Sequence, residues 1–362
     1  MSACRLCWGT GMHRLTLTPT PIANSFPEHP DADAMRYPLV LQECELCGHI
    51  QLRDQVQLEW DHYHYVTPSA VHPHLAEAAQ GLRRRYPNAQ TVLEIGSNNG
   101  ANLAVLRAEG FRALGVDPSA REGIRLPFSS DLAKMLDRVD LVVANNVLAH
   151  VDDLLDVLLG IRLVLNWGGA LVFEVQYLPK MMELVAFDMI YHEHRDYHTL
   201  GPLVPFLNLH DLVITDYELI PTHGGSVRVY CGHKGYEPAC LLPDERLDWR
   251  TFSRYIQERA AALHWQIRAV DGPVAAFGAT AKSTTLLHQC ELTDRIAYCV
   301  DETPGKQGRY IPGTNIPIVP LSRLEEDPPA AVLLTAWNYA DHIKARFPHL
   351  NWIVPFVKEV PV

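Results

Sequence analysis

The stretch Val92-Leu93-Glu94-Ile95-Gly96-Ser97-Asn98-Asn99-Gly100 decides the fold. Thr91 to Ile95 is a short apolar run that predicts a buried strand, the glycines at 96 and 100 predict a turn, and Ala101 to Glu109 has helical periodicity. Glycine lets the backbone approach a ligand closely, and open α/β sheets bind ligands at the carboxyl ends of their strands. The next strand, Ala113 to Val116, ends on Asp117, where a carboxylate can accept both hydroxyls of a ribose. The turn reads ExGxxxG, not the GxGxxG of pyrophosphate-binding dinucleotide sites, which favours a cofactor without phosphates such as S-adenosylmethionine (SAM). Candidate cofactor residues are therefore Glu94, Gly96, Ser97, Asn98, Gly100 and Asp117. Asn145 and Asn146 join them from the end of the following strand, Leu141 to Ala144.

Outward from this turn the same alternation continues. A helix is expected upstream over Leu75 to Arg85, and downstream a helix over Leu154 to Leu165, a Gly168-Gly169 turn and a strand over Ala170 to Val175. Alternating strand and helix predicts a mostly parallel, doubly wound α/β sheet. A second, smaller Rossmann-like unit begins at Pro273, with strands over Val274 to Phe277, Arg295 to Val300 and Ala331 to Leu334, and the loop Gly278-Ala-Thr-Ala-Lys282 after the first. The segment Ser226 to Cys231 reads as a strand and Leu247 to Ala269 as a helical connector. The expected domains are residues 1–70, 71–235 and 236–362.

The first 60 residues carry Pro19, Pro21, Pro27, Pro30 and Pro38 and little helical periodicity, so a staple is expected to hold them. Cys4-x-x-Cys7 and Cys44-x-x-Cys47 supply one: two knuckles present four thiolates to a single tetrahedral zinc ion. Four sulfur ligands leave no open position for water, so the role is structural. The 362 residues, with 48% hydrophobic and 20% charged side chains, exclude disordered and fibrous classes. A net charge of −11 counts against nucleic acid as a partner. The most apolar long stretch, Leu154 to Val175, is broken by Asp156, Arg162, Asn166 and the glycine pair, so no membrane span is expected. Eight cysteines with no disulfide framework suit the cytoplasm.

Several histidines stand where chemistry could occur. His150 follows the strand that ends at Ala144, and Tyr191-His192-Glu193-His194 sets four functional side chains in a row. Thr222-His223-Gly224-Gly225-Ser226 and Tyr63-His-Tyr65 have the same polar and aromatic character. For any one of these histidines a solvated turn is the simpler reading.

Taken together, these motifs resemble the sugar C-methyltransferases of bacterial deoxysugar pathways, which alkylate carbon 3 of a nucleotide-linked 4-keto-deoxyhexose. The resemblance runs through both knuckles, Pro21-Ile-Ala-Asn-Ser25, the Glu94 to Gly100 turn, Asn145-Asn-Val-Leu-Ala-His150, Tyr191-His-Glu-His194, Thr222-His-Gly-Gly-Ser226, Gly278-Ala-Thr-Ala-Lys282 and Lys306-Gln-Gly-Arg-Tyr310-Ile-Pro-Gly313. It implies a small N-terminal zinc-binding domain, a central doubly wound Rossmann-like SAM-binding domain and a second, C-terminal Rossmann-like α/β domain that helps to hold the nucleotide sugar. It also implies that His194 is the general base and that Glu193, Tyr191, His150 and an N-terminal tyrosine, Tyr65 or alternatively Tyr63, line the sugar pocket. His223, Lys282, Lys306 and Arg309 are the candidate substrate contacts, and a monomer is expected. One departure stands out: the segment between Asp117 and Asn145 is short for the family, which compresses the third strand and the adenine-side loop into Arg121 to Arg138. Rival readings are an O- or N-methyltransferase on a small acceptor, a zinc-stapled nucleic-acid module and a nucleotide-sugar oxidoreductase.

Overall fold

A computed structural model describes residues 3–58, 72–233, 235 and 241–356 of the chain. The N-terminal segment is more regular than its prolines suggest. β1 (Gly11–Thr20), β2 (Tyr37–Cys44) and β3 (Ile50–Leu52) pair antiparallel. Leu15 and Leu17 alternate with polar residues along β1, and Pro19 falls in a register shift between Leu17 and Thr20, where the ladder can spare a donor. Among the described residues the sheet has no core of its own. Leu15, Leu17, Leu39 and Leu41 belong to the same buried cluster as Leu286, Leu287 and Phe187, far along the chain.

The central sheet follows the expected alternation: α1 (His72–Arg85), β4 (Thr91–Ile95), α2 (Ala101–Ala108), β5 (Arg112–Val116), α3 (Ser130–Ala133), β6 (Val139–Asn145), α4 (Leu154–Val164) and β7 (Leu165–Gln176). β7 starts earlier than expected, because residues 166–169 bulge out between the pairs Val139↔Leu165 and Leu141↔Ala170. After α5 (Leu178–Glu183), the short β8 (Asp196–Tyr197) leaves this unit and pairs with β3, completing the N-terminal sheet. The chain returns through α6 (Leu200–Asn208) to β9 (Leu212–Ile220) and β10 (Ser226–His233). Strand order is β5-β4-β6-β7-β10-β9, with β5, β4, β6 and β7 parallel and β10 antiparallel to both its neighbours. The winding reverses between β4 and β6, the switch point at which such sheets open a ligand crevice. The compressed third strand is reduced to a single parallel bridge, Val116↔Ile124.

The long amphipathic helix α7 (Trp249–Arg268) buries Phe252, Ile256, Ala260, Leu263 and Ile267 along one stripe, and Asp248 caps it by accepting from the Thr251 N–H at 3.0 Å. The C-terminal sheet follows: β11 (Val274–Phe277), α8 (Ala281–Gln289), β12 (Ile296–Val300), β13 (Ile318–Val319), α9 (Arg323–Glu326), β14 (Ala331–Leu334), α10 (Ala340–Arg346) and β15 (Trp352–Ile353). Its order is β13-β12-β11-β14-β15, all parallel, with its own switch point at β11. Among the described residues no helix is long and apolar enough to cross a membrane.

Because the N-terminal sheet borrows the C-terminal core, a cavity on one side should weaken both. Leu41→Ala is expected to cost about 2–5 kcal/mol in urea unfolding. The loss should appear in one transition common to both units; a separate early transition of the N-terminal sheet would contradict the shared core.

Candidate active site

The carboxyl ends of the two parallel sheets face one cavity of about 1140 Å³. On the central-sheet wall the chain leaves β4 at Ile95 and turns through Gly96 at φ +80°. A Cβ at Gly96 would lie 2.8 Å from Cβ of Val147, so this position needs glycine for both conformation and space. Asp117 fastens the turn: one carboxylate oxygen accepts from the Asn98 N–H at 3.1 Å, and the other from the Ser119 N–H and hydroxyl, each at 2.7 Å. Glu94 is buried below. One of its oxygens accepts from Asn102 at 2.8 Å, while the other is buried with no hydrogen-bond partner and belongs to the cavity lining. Burial pushes its pKa up to about 8. An uncompensated carboxyl and a glycine cradle fit a ligand with an amino group and a ribose, as SAM has.

The middle of the cavity is built by two segments. The loop after β6 brings Asn145, Asn146 and His150, and the buried turn after Met189 brings Tyr191 and His194. The His150 and His194 rings lie with centroids 4.8 Å apart. Nδ1 of His194 lies 2.9 Å from the carbonyl oxygen of Met189, and Nε2 lies 2.7 Å from the Tyr191 hydroxyl. A carbonyl only accepts, so Nδ1 carries the proton; in the neutral ring Nε2 is then the acceptor and Tyr191 the donor. Burial holds His194 well below the ordinary histidine range, with His150 beside it adding to the effect, and lowers His150 and His223 to about 4. His223 reaches the lining through the Thr222-His-Gly-Gly turn. A Cβ at Gly224 would lie 2.3 Å from the Trp337 ring, so the turn packs bare backbone against the C-terminal unit.

The opposite wall carries the loop before α8, Lys282 in the first turn of that helix, and Lys306 from the loop after β12. Lys282 is buried, donates to the Asn338 side-chain oxygen, and is lowered to about 8 by burial against the opposing pull of Asp188. Lys306 donates to the Ala279 carbonyl at 2.8 Å.

Not every expected residue comes to this cavity. Gly100, at φ +81°, caps α2 behind the turn and is absent from the lining. Glu193 also lies outside it; one carboxylate oxygen accepts from the Asn24 N–H at 2.8 Å, and the side chain is buried. Arg309 is turned away, donating to the Phe26 carbonyl at 2.9 Å and to Glu28 at 3.2 Å. Tyr63 and Tyr65 fall outside the described residues. The sequence reading missed Asn338 and Arg346, which line the C-terminal wall; both follow β14, and the carboxyl-edge rule could have found them. Asn24 and Phe128 were also missed; Asn24 stands in the Pro21-Ile-Ala-Asn-Ser25 motif without a role assigned to it, and Phe128 has no sequence signal of its own.

Away from the cavity, Cys4, Cys7, Cys44 and Cys47 bring their sulfurs within 4.8 Å of one another, with Cys4–Cys47 at 3.6 Å and Cys7–Cys44 at 3.4 Å. A tetrahedron with zinc–sulfur bonds of about 2.3 Å needs edges of about 3.8 Å, so the four thiols fit the ion. Backbone N–H groups of Leu6 and Leu46 each point at a sulfur from 3.4 Å, as a thiolate requires.

Comparison with known proteins agrees with this construction. Three family models match in succession: a zinc binding domain over residues 4–60, a methyltransferase domain over 68–212 and a C-methyltransferase C-terminal domain over 221–361. Fold, cavity and cysteine cluster thus define a SAM-dependent methyltransferase with a zinc-binding unit ahead of it. C-methyltransferase NovU of Streptomyces niveus is 30% identical to this chain, over 94% of it and 90% of NovU. The chain belongs to this C-methyltransferase family. Among solved structures, the mitomycin 7-O-methyltransferase MmcR is 13% identical, with a TM-score of 0.37 over 46% of this chain and 54% of its own. The magnesium protoporphyrin IX methyltransferase ChlM of Synechocystis PCC 6803 is 15% identical, with a TM-score of 0.35 over 49% and 89%.

Elemental analysis of protein purified without added metal should give close to one zinc per chain, and Cys44→Ser should abolish it. Folded, active protein without metal would contradict the assignment. Glu94 sets a pH signature. Its folded-state value lies above its unfolded one, so its contribution to stability is full at low pH and is lost as pH rises from about 4.5 through about 8. Thermal unfolding across that range should show a fall that Glu94→Gln lacks; equal slopes in the two proteins would mean Glu94 is not the group responsible.

Proposed function

We propose that the protein transfers the methyl group of SAM to carbon 3 of a nucleotide-linked 4-keto-deoxyhexose, with His194 removing the proton from that carbon. The shared cavity carries this reading. Its volume of about 1140 Å³ exceeds the roughly 300–1000 Å³ usual for one small ligand. One wall suits SAM, and the other offers buried cations at the carboxyl edge of a second parallel sheet, where a diphosphate-linked nucleotide would sit. A small free acceptor would leave that second wall without a use. In this division residues 1–70 form the zinc-binding unit, 71–235 hold SAM and 236–362 hold the nucleotide sugar.

SAM supplies an electrophilic methyl group, so the demanding step is making carbon 3 a nucleophile. The neighbouring 4-ketone acidifies the hydrogen on that carbon. His194 is neutral at physiological pH because burial disfavours its charged form, and the Met189 carbonyl fixes the tautomer that leaves Nε2 as the basic atom. Once Nε2 takes the proton from carbon 3 it no longer accepts from Tyr191, whose hydroxyl can then donate to the enolate oxygen, while neutral His150, its N–H on the Glu193 carbonyl, lines the pocket beside it. Glu193 serves by position: its backbone holds His150, and its side chain ties the turn to Asn24. Gly100 serves the cofactor by shaping the turn, and Glu94, Gly96, Ser97, Asn98, Asp117, Asn145 and Asn146 receive SAM, with Asp117 on the ribose. Lys282, Lys306 and His223 face the sugar nucleotide; Arg346, also on that wall, is paired with Glu302 at 2.6 Å. Tyr65 or Tyr63 completes the sugar side.

His194→Asn should lower kcat by roughly 10²- to 10⁴-fold while calorimetry shows unchanged binding of S-adenosylhomocysteine. Because His194 is held low, the acid limb of kcat in the wild type should lie below pH 6.5. Mass spectrometry of products from a panel of 4-keto nucleotide sugars tests the substrate. Methylation at oxygen, or a His194 variant that turns over normally, would overturn the reading.

A further inference from the structure

Arg5 sits between the ligands Cys4 and Cys7, and its side chain turns inward, only 12% exposed. Nε donates to both oxygens of Asp196 at 3.0 Å. Nη1 donates to the Asp152 carbonyl at 3.0 Å and to Gln55 Oε1 at 3.1 Å, and Nη2 to the Val151 carbonyl at 2.6 Å. One guanidinium thus grips the backbone just after His150 and the carboxylate two residues after His194.

The surroundings reinforce this grip. Asp196 is fully buried and also accepts from His49 at 2.8 Å. Arg195 spans the same gap, with Asp152 at 2.6 Å and Gln55 at 2.8 Å, and its own N–H donates to the Ala149 carbonyl at 2.8 Å. The backbone of Arg5 is fixed in turn by Gln51, which accepts from its N–H at 2.8 Å and donates to the Ala3 carbonyl at 3.1 Å. A salt bridge kept only for stability would need one partner, whereas Arg5 satisfies four acceptors on three segments. Two of those segments carry the facing rings of His150 and His194. A planar fork of fixed donors can do this; the single ammonium of lysine cannot.

We propose that Arg5 is a positioning residue that transmits the geometry of the zinc knuckle to the His150–His194 pair. The knuckle thereby sets catalytic geometry as well as holding the N-terminal unit. The roles of the two histidines rest on the function proposed above; the contact that places them does not. A misplacement of about 1 Å at reacting groups can cost roughly 10²-fold in rate.

The test uses full-length, zinc-loaded Arg5→Lys. Zinc content and S-adenosylhomocysteine affinity should match the wild type, kcat should fall about 10²-fold, and the ¹⁵N imidazole resonances of His150 and His194 should shift. Methylguanidinium added to Arg5→Ala should recover part of the lost turnover, a result that general destabilisation would not give. Unshifted resonances with wild-type kcat would overturn the proposal. If Arg5→Lys loses zinc or fails to fold, Asp196→Asn, which alters only the far end of the contact, must produce the same shifts in zinc-loaded protein; their absence also overturns it. Should the wild type methylate no nucleotide sugar, the functional reading fails while the resonance measurement still decides the role of Arg5.

Discussion

Residues 187–200 form one continuous buried segment, although they include Asp188, His192, Glu193, His194, Arg195, Asp196 and His198. Burying so many ionisable groups is costly, and the partners that offset part of that cost come largely from other parts of the chain. Asp188 accepts from the Trp337 indole at 2.6 Å, and the Ile190 carbonyl accepts from the Thr285 hydroxyl at 2.9 Å, both in the C-terminal unit. Glu193 meets Asn24, and Asp196 meets Arg5 and His49, all N-terminal. Separating any unit would strand buried polar groups, so this segment holds the three sheets in one arrangement.

The same constraint makes the site. With the segment fixed between two switch points, the Gly96 turn and the loop before α8 face one cavity on either side of the Tyr191–His194 pair. Burial then keeps the two histidines neutral at physiological pH. The Thr222-His-Gly-Gly turn shows how tightly the walls approach, since the Trp337 ring fills the space a side chain at Gly224 would take.

Between Asp117 and β6 the central sheet has only the Val116↔Ile124 bridge in place of a further strand, yet the turn beside it is supported. The Asp117 carboxylate accepts from the Asn98 N–H, the Val116↔Ile124 bridge holds the neighbouring strand, and Pro127 and Phe128 reach the lining from the loop that follows.

Much of this was legible in the sequence, for a local reason. Strand β4, the Gly96 turn, Asp117, β11 and β14 follow from apolar runs and turn residues whose meaning depends on near neighbours, and two CxxC knuckles announce their metal because ligand spacing is itself local. The N-terminal strands were hidden because their prolines mask a period of two and their buried faces find a core only in α8 and the Phe187 segment. Glu193 and Arg309 appeared as site residues in the sequence and lie away from the cavity, since neighbours along a turn point in different directions and only packing decides which direction is inward. Asn338 and Arg346 follow β14 at a carboxyl edge the sequence already marks, whereas the place of Asn24 in the cavity and the reach of Arg5 belong to the tertiary structure alone. Each acts across a gap of many residues, and no pattern along the chain encodes what folding brings to the other side.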